Sequence, residues 1–272
     1  MTLSIIIVSF NASADLARCL ESLAASPPVA PHDITVVDNA STDGSAALVR
    51  ERWPAVQLIE LEANVGFAAG TNTGIRATTG ELLLLLNSDT VVPCGAIDAL
   101  VARLAAQAVA AVAGPRLIDG SGRPEISFGP MISPLAELRQ KVVGRLYDAR
   151  VRPVERWIDR LTRRESFVDW VSGACLLVSR ADAETVGLLD ERYFLYTEDV
   201  DFCAALRARG RRILFTPAAQ ITHLRGRSRR TSEDRMNTAY RRSQIAFYDK
   251  HHPGWAPVLR TYLRLKGQLP RT

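Results

Sequence analysis

Of the 272 residues, 47% are hydrophobic and 23% charged, with 34 Lys and Arg against 29 Asp and Glu for a net charge of +5. These proportions exclude a disordered or fibrous chain and allow one large or two small globular domains with a substantial core. The positive excess favours an anionic partner, whether a phosphorylated ligand, an acidic lipid headgroup or nucleic acid.

The chain opens on Ser4 to Phe10, a β-branched run that reads as a buried strand, followed by a helix over Asp15 to Ala25 with Pro27-Pro28 beyond it. Ile34 to Val37 is a second strand, ending in Asp38 to Ser45; a helix to about Glu51 and a third strand, Val56 to Leu61, follow. The turn Asn64 to Asn72 opens a helix through Ala77, and five consecutive leucines, Leu82 to Leu86, form a strand apolar enough to be buried on both faces. Such β-α alternation at short spacing predicts a parallel sheet with right-handed crossovers. Beyond Asp89 we expect a helix over Ala96 to Ala108, a short strand over Ala110 to Gly114, and a loop from Pro115 to Pro134. Residues 135–165 mix Leu, Val and Trp with many Arg, the composition of basic amphipathic helices. Val168 to Val178 is a strand pair or a bent strand, Arg180 to Val186 a short helix, and Val200 to Arg209 a helix closed by Gly210. Arg212 to Thr216 and Ala219 to His223 are further short strands. From Arg225 onward twelve Lys or Arg face three Asp or Glu.

No stretch suits a signal or membrane-spanning segment: Leu3 to Phe10 stops within a few residues, and Leu100 to Gly114 is broken by Arg103 and Gln107. Cys19, Cys94, Cys175 and Cys203 form no Cys-x-x-Cys pair, so neither a zinc knuckle nor a disulfide framework is indicated and a reducing cytoplasm is expected. No interleaved aromatic platform accompanies the basic residues, so no nucleic acid is expected; the basic helices and tail are either solvated faces or a peripheral contact with an anionic membrane.

Polar clusters fall at the strand ends of one sheet, where ligands bind in open α/β folds. Ser9 and Asn11 follow the first strand, and Asp38 and Asn39 the second. Asp38 can accept from an imide N–H of uracil or thymine, while Ser41, Thr42 and Asp43 can equally cap the next helix. The glycines Gly66, Gly70 and Gly74 would let backbone amides approach a diphosphate at a helix start. Asp89, delivered by the leucine strand after Asn87 and Ser88, is a metal or substrate ligand or merely a turn residue. Glu198, Asp199 and Asp201 crowd a helix start, where dipole compensation is the plain account; Asp199 could also remove a proton from an attacking hydroxyl. His223 leads an arginine-rich loop that includes Arg227 and suits phosphate.

In order, Val37 to Ser45 (Val-Asp-Asn-x-Ser-x-Asp-Gly-Ser), Asn64 to Gly74 (Asn-x-Gly-Phe-x-x-Gly-x-Asn-x-Gly), Leu85 to Asp89 (Leu-Leu-Asn-x-Asp) and Phe194 to Cys203 (Phe-x-Tyr-x-Glu-Asp-x-Asp-x-Cys) resemble family-2 glycosyltransferases of the GT-A fold, in particular the rhamnosyltransferase-like branch. The resemblance covers about residues 3–250 and includes His223-x-x-Gly226-x-Ser228 and Arg242-Ser243. It implies a Rossmann-like α/β fold with a mostly parallel sheet: a catalytic domain over 1–224, with its nucleotide-binding half ending near 92 and a basic helical insertion over 135–165, and a basic helical extension over 225–272. It implies an inverting transferase acting in cell-surface polysaccharide synthesis at the inner face of the membrane, with Asp199 as base and Glu198 beside it. Ser9, Asn11, Asp38, Asn39, Asn64, Gly66, Phe67, Gly70, Asn72, Asn87, Ser88 and Arg227 would hold the nucleotide sugar. Asp89 and His223 would hold Mg2+ or Mn2+, and Trp170, Ser172, Gly173 and Ala174 would line the acceptor and sugar pocket. The family's Asp-x-Asp has Asn87 at its first position, leaving one carboxylate for the cation. The rhamnosyltransferase-like branch often carries this Asn, which raises dTDP-L-rhamnose as donor, with a UDP-sugar as the alternative; the acceptor is a saccharide or polyprenyl-linked saccharide, and a homodimer is allowed.

Overall fold

In the computed structural model, which describes residues 1–224 and 233–270, the N-terminal half alternates as expected. Its elements are β1 (Leu3–Ser9), α1 (Ser13–Ala25), β2 (His32–Asp38), α2 (Ser45–Arg52), β3 (Gln57–Glu60), α3 (Phe67–Arg76) and β4 (Leu82–Asn87). There follow β5 (Thr90–Val91), α4 (Ala96–Ala105), β6 (Ala110–Ile118), β7 (Phe128–Gly129), α5 (Pro134–Asp148) and α6 (Arg152–Leu161). The remainder is β8 (Ser166–Val168), β9 (Trp170–Val171), β10 (Cys175–Ser179), α7 (Arg180–Thr185), α8 (Glu198–Ala208), β11 (Arg212–His223), α9 (Glu233–His251) and α10 (Ala256–Leu265).

Strands run in the spatial order β3-β2-β1-β4-β10-β6-β11-β5, with β8 on β11. The first four are mutually parallel, β10 runs antiparallel between β4 and β6, and β7 pairs with β9 apart from the main sheet. β4 is thus central, and its alternation is visible in the packing. Leu82, Leu84 and Leu86 join Ile5, Ile7, Leu16 and Leu20 on one face, while Leu83 and Leu85 join Ile6, Ile75 and Phe202 on the other. All five leucines are buried, each stabilising the fold by roughly 1.5–3 kcal/mol.

Three expectations need correcting. β6 does not stop at Gly114 but continues through Pro115 to Ile118, because β10 pairs only as far as Ala113 and leaves Pro115 with β11 alone as neighbour. A proline lacking its N–H is tolerated where one side of a strand is unpaired. β11 is likewise one strand rather than two, with an irregularity between Thr216 and Gln220 that bends it without ending it. α8 begins at Glu198, two residues before the predicted start.

The C-terminal helices are docked on this body. Phe247 and Tyr248 of α9 pack with Tyr193 and Val200. The buried Asp201 of α8 accepts from Lys250 Nζ at 2.8 Å, sits 2.6 Å from His251 Nε2, and accepts from Tyr193 OH at 3.2 Å. Asp201 therefore anchors the extension, a role beyond the dipole compensation read from the sequence. Removing one member of a buried ionic cluster strands the others. Asp201→Ala is expected to lower unfolding free energy by about 3 kcal/mol, the low end of the range for such pairs because Lys250 reaches solvent; urea denaturation checks it.

Candidate functional site

The rims of β1 and β2 lie side by side, since Ser9 pairs with Asp38 in parallel register. The loops beyond them are tied together: Asn11 N donates to Ser41 Oγ (2.9 Å), Thr42 N to Asn11 Oδ1 (2.8 Å) and Ser13 N to Asp43 Oδ2 (2.8 Å). Asp43 also receives Ser45 N and Ser45 Oγ at the start of α2, and these bonds hold its carboxyl below the ordinary range although its partial burial acts to raise it. Asp43 is therefore structural. Asp38 differs: one oxygen accepts from Ser41 N at 2.9 Å, while Oδ1 is buried and has no partner among the described residues. The Ser9 hydroxyl beside it is equally buried and unpaired. Buried polar atoms without partners are rare because each costs free energy, so this pair can serve a ligand edge that brings its own donor and acceptor.

The glycine-spaced turn corrects the sequence expectation. Val65 N donates to Asn39 Oδ1, Gly66 N to Asn64 Oδ1 and Phe67 N to the carbonyl of Phe194 (2.7 Å), so these amides are engaged within the protein rather than open to a diphosphate. A Cβ on Gly66 would lie 2.3 Å from the Phe194 carbonyl oxygen, and one on Gly74 would lie 2.6 Å from Ile6 Cγ2. The glycines thus admit a crossing chain and let α3 lie close on β1. The side chains of Asn39, Asn64 and Asn72 are also structural. Asn39 Nδ2 donates to Asn64 Oδ1 and to the Gly66 carbonyl, and Asn72 clasps Leu189 through both its amide atoms while donating to Glu191. Gly70 is buried against Val8.

At the end of β4, Asn87 and Ser88 are half-buried, and their side chains have no partner among the described residues. Asp89 Oδ1 lies 3.2 Å from His223 Nε2, and the other ring nitrogen of His223 lies 3.1 Å from Glu125 Oε2. Leu224 N donates to the Asp89 carbonyl, closing the end of β11 onto the turn. Burial alone would depress the His223 imidazole, yet its hydrogen bonds to Asp89 and Glu125 and their negative charges outweigh burial and raise it to about 9. No group of three metal-ligating side chains exists among the described residues. Asp89 and His223 nevertheless fit a divalent cation that takes its remaining ligands from phosphate and water, as Mg2+ and Mn2+ commonly do, and Glu125 behind His223 fits the outer carboxylate that orients such a ligand. Glu125 was missed from the sequence because it stands in a stretch with no periodic signal. Arg227 lies outside the described residues.

The acidic helix start is reached through two successive left-handed residues, Tyr196 and Thr197 (φ 69° and 68°), a costly backbone for a β-branched residue and a feature of constrained sites. Beyond them Asp199 Oδ2 accepts from Gly173 N and Oδ1 from Val200 N, both at 2.8 Å. Burial raises the Asp199 carboxyl while these amide donors oppose it. Glu198 is raised further, first by burial and then by the charge of Asp199, and its Oε2 has no partner among the described residues. Of the two carboxyls, Glu198 is therefore held the more strongly toward its neutral form. The Phe67 ring comes within 3.7 Å of a Cβ placed on Gly173, so Phe67, Gly173 and Asp199 share one wall. Ser172 and Ala174 continue that segment, Ala174 N donating to Ser172 Oγ and the Ala174 carbonyl accepting from Asn87 N. Trp170 is turned aside, its Nε1 donating to the Pro130 carbonyl at 2.9 Å.

The sequence pattern of the family described as Glycosyl transferase family 2 matches residues 4–168. The chain belongs to glycosyl transferase family 2. This glycosyltransferase is 29% identical over 293 residues to a Mycobacterium tuberculosis protein named N-acetylglucosaminyl-diphospho-decaprenol L-rhamnosyltransferase, covering 99% of the present chain and 95% of that protein. Among solved structures it superposes on the Pyrobaculum calidifontis mannosyltransferase PcManGT, described in complex with GDP-Man and Mn2+, with a TM-score of 0.64 and 18% identity over 94% of this chain and 67% of that one. S. aureus TarS residues 1–349, described in complex with UDP-GlcNAc, superposes with a TM-score of 0.58 and 16% identity over 91% and 67%. The fold is that of GT-A glycosyltransferases. Among the described residues no helix of the transferase is long and apolar enough to cross a membrane.

Proposed function

We propose that the enzyme transfers L-rhamnose from dTDP-L-rhamnose, with inversion at the anomeric carbon, to a polyprenyl-diphosphate-linked saccharide. The observation that carries this reading is the near full-length similarity to a rhamnosyltransferase whose name specifies a decaprenol-linked substrate. Asp38 Oδ1 would accept the imide N–H of thymine, the buried unpaired acceptor being matched to that donor. Ser9, Asn11, Asn87 and Ser88 border the nucleotide and sugar. Asp89 and His223 would hold Mg2+ or Mn2+, which when bound stabilises negative charge on the leaving diphosphate. Asp199 takes the proton of the acceptor hydroxyl as the oxygen attacks C1; the C1–O bond to the diphosphate breaks and the nucleoside diphosphate departs from the opposite face. Glu198, whose neutral form burial and the charge of Asp199 favour, stands beside the base.

An acceptor of this kind sits at a membrane surface. α10 and its N-cap Trp255 expose Trp255, Val258, Tyr262 and Leu265 at helical spacing beside Arg264 and the C-cap Lys266, a pattern that fits peripheral contact with an anionic membrane.

The donor assignment is tested by thermal shift and product formation with dTDP-L-rhamnose and a set of UDP-hexoses, with and without Mg2+ or Mn2+. We expect the largest stabilisation and the only product from dTDP-L-rhamnose with metal; Asp89→Asn should abolish the metal-dependent part of the shift. A preference for a UDP-sugar would overturn the donor assignment, and a shift in Asp89→Asn that still responds to EDTA would remove Asp89 from the metal site.

A further inference from the structure

A cleft of about 410 Å³ lies under α5 and α6, outside the Asp89–Asp199 centre. Its walls are dominated by Phe128, Val143, Trp157, Leu161, Phe167 and Trp170, and its polar contribution includes Arg139 and Gln140. The helices roofing it are fastened by their edges, with Arg116 donating to Asp159 (2.7 Å), Arg123 to Glu155 (3.1 Å), and Gln244 and Tyr248 to Glu137 (2.8 and 3.0 Å). α5 itself has no buried residue along its 15 positions. An amphipathic helix held over an apolar hollow without filling it leaves apolar surface in water, which a ligand would cover.

Two hydrogen-bonded segments run from the lining of the cleft to the catalytic centre. On one, Trp170 lines the cleft and Gly173, three residues on, donates to Asp199. On the other, Glu125 meets His223 while Ile126, Phe128 and Gly129 line the cleft. Ser172 N donates to the Ser127 carbonyl, and Gly129 pairs with Trp170. Three residues of chain span at most about 11 Å, so a molecule whose hydroxyl meets Asp199 reaches the cleft if it extends along this segment to Trp170. Arg139 at its edge, 6.0 Å from the Trp157 ring centre, supplies a cation for a phosphate group beside the apolar chain. A second hollow shares Pro130, Ile132 and Arg139 with the first and reaches Leu135, which is 76% exposed, so the cleft opens toward apolar surface.

We propose that this cleft binds the first isoprene units of the acceptor lipid, with Arg139 at its diphosphate. The assignment rests on the polyprenyl-linked acceptor proposed above.

The test combines two measurements on the full chain. Equilibrium dialysis with labelled farnesyl diphosphate is expected to show saturable binding, weakened about tenfold in Val143→Glu, which places a charge in the cleft, and absent for inorganic diphosphate. Transfer from the donor is then followed with N-acetylglucosaminyl diphosphates bearing methyl, geranyl or farnesyl groups. In the wild type KM should fall as the chain lengthens, whereas Val143→Glu should lose this dependence while keeping the methyl-acceptor KM and the donor KM. Equal farnesyl diphosphate binding by both proteins, or a chain-length dependence unchanged in Val143→Glu, would overturn the cleft assignment. Saturable binding of farnesyl diphosphate, weakened by Val143→Glu, without transfer to any of the three acceptors would overturn the acceptor reading while upholding the cleft as an isoprenoid site.

Discussion

Asp199→Asn is expected to lower the rate of sugar transfer by about 10²- to 10⁴-fold, the usual worth of a positioned general base, while donor binding stays near wild type. The carboxylate is held by two amide donors, one on each oxygen, Gly173 N and Val200 N. Asparagine keeps one of these bonds and turns an NH2 against the other amide, so a modest loss of stability accompanies the loss of activity and is read separately from the melting curve. Glu198→Gln is the informative contrast. Glu198 is raised by burial and by its neighbour's charge, which favour its neutral form, and glutamine imitates that form. Transfer should survive in Glu198→Gln and fail in Asp199→Asn; the reverse order would exchange their roles. The sign of the pH dependence follows from the same geometry. Burial raises the Asp199 carboxyl, and the base must be ionised, so activity should fall on acidification at a higher pH than an ordinary carboxylate would give. A kcat/KM profile between pH 4 and 8 at about constant ionic strength checks this.

The sheet was legible in the sequence because its signals are local. Leu82 to Leu86 suits a strand buried on both faces, and the two clusters that divide its odd and even leucines realise that reading. The acidic residues at the ends of β4 and α8 could be placed for the same reason, by the rigid elements that deliver them. Side-chain partners were not legible. Asn39, Asn64 and Asn72 stand where a nucleotide-binding loop would have them, but whether an asparagine faces ligand or backbone is decided by a partner in another segment, 25 residues away between Asn39 and Asn64 and 117 between Asn72 and Leu189. Glu125 was invisible for a related cause. It takes meaning only from His223, 98 residues later, and its own neighbourhood offers neither periodicity nor a turn signature. Pro115 misled through a local rule that holds for strands paired on both sides, whereas β6 is paired on one side at that point.

Gly66→Ala is expected to impair both stability and catalysis although Gly66 touches no reacting group. Its backbone (φ 88°, ψ 176°) lies in a region open essentially to glycine alone, and its missing Cβ would meet the Phe194 carbonyl at 2.3 Å and the Phe194 ring at 2.8 Å. That carbonyl accepts from Phe67 N at 2.7 Å, so relief by moving Phe194 breaks the bond as well. Strain and the lost hydrogen bond together predict a destabilisation of about 2–4 kcal/mol. The displaced segment runs within five residues into Asp199 through the left-handed Tyr196 and Thr197, so the base should lose its alignment with Gly173. Gly210→Ala separates this from the general cost of alanine at positive φ. Gly210 has φ 78° but nothing within 4 Å of its Cβ position, and it closes α8 far from the rim. It should cost only about 1 kcal/mol and leave kcat unchanged. If both alanine variants lost equal stability and both kept kcat, the crossing of Phe194 over Gly66 would have no part in positioning Asp199.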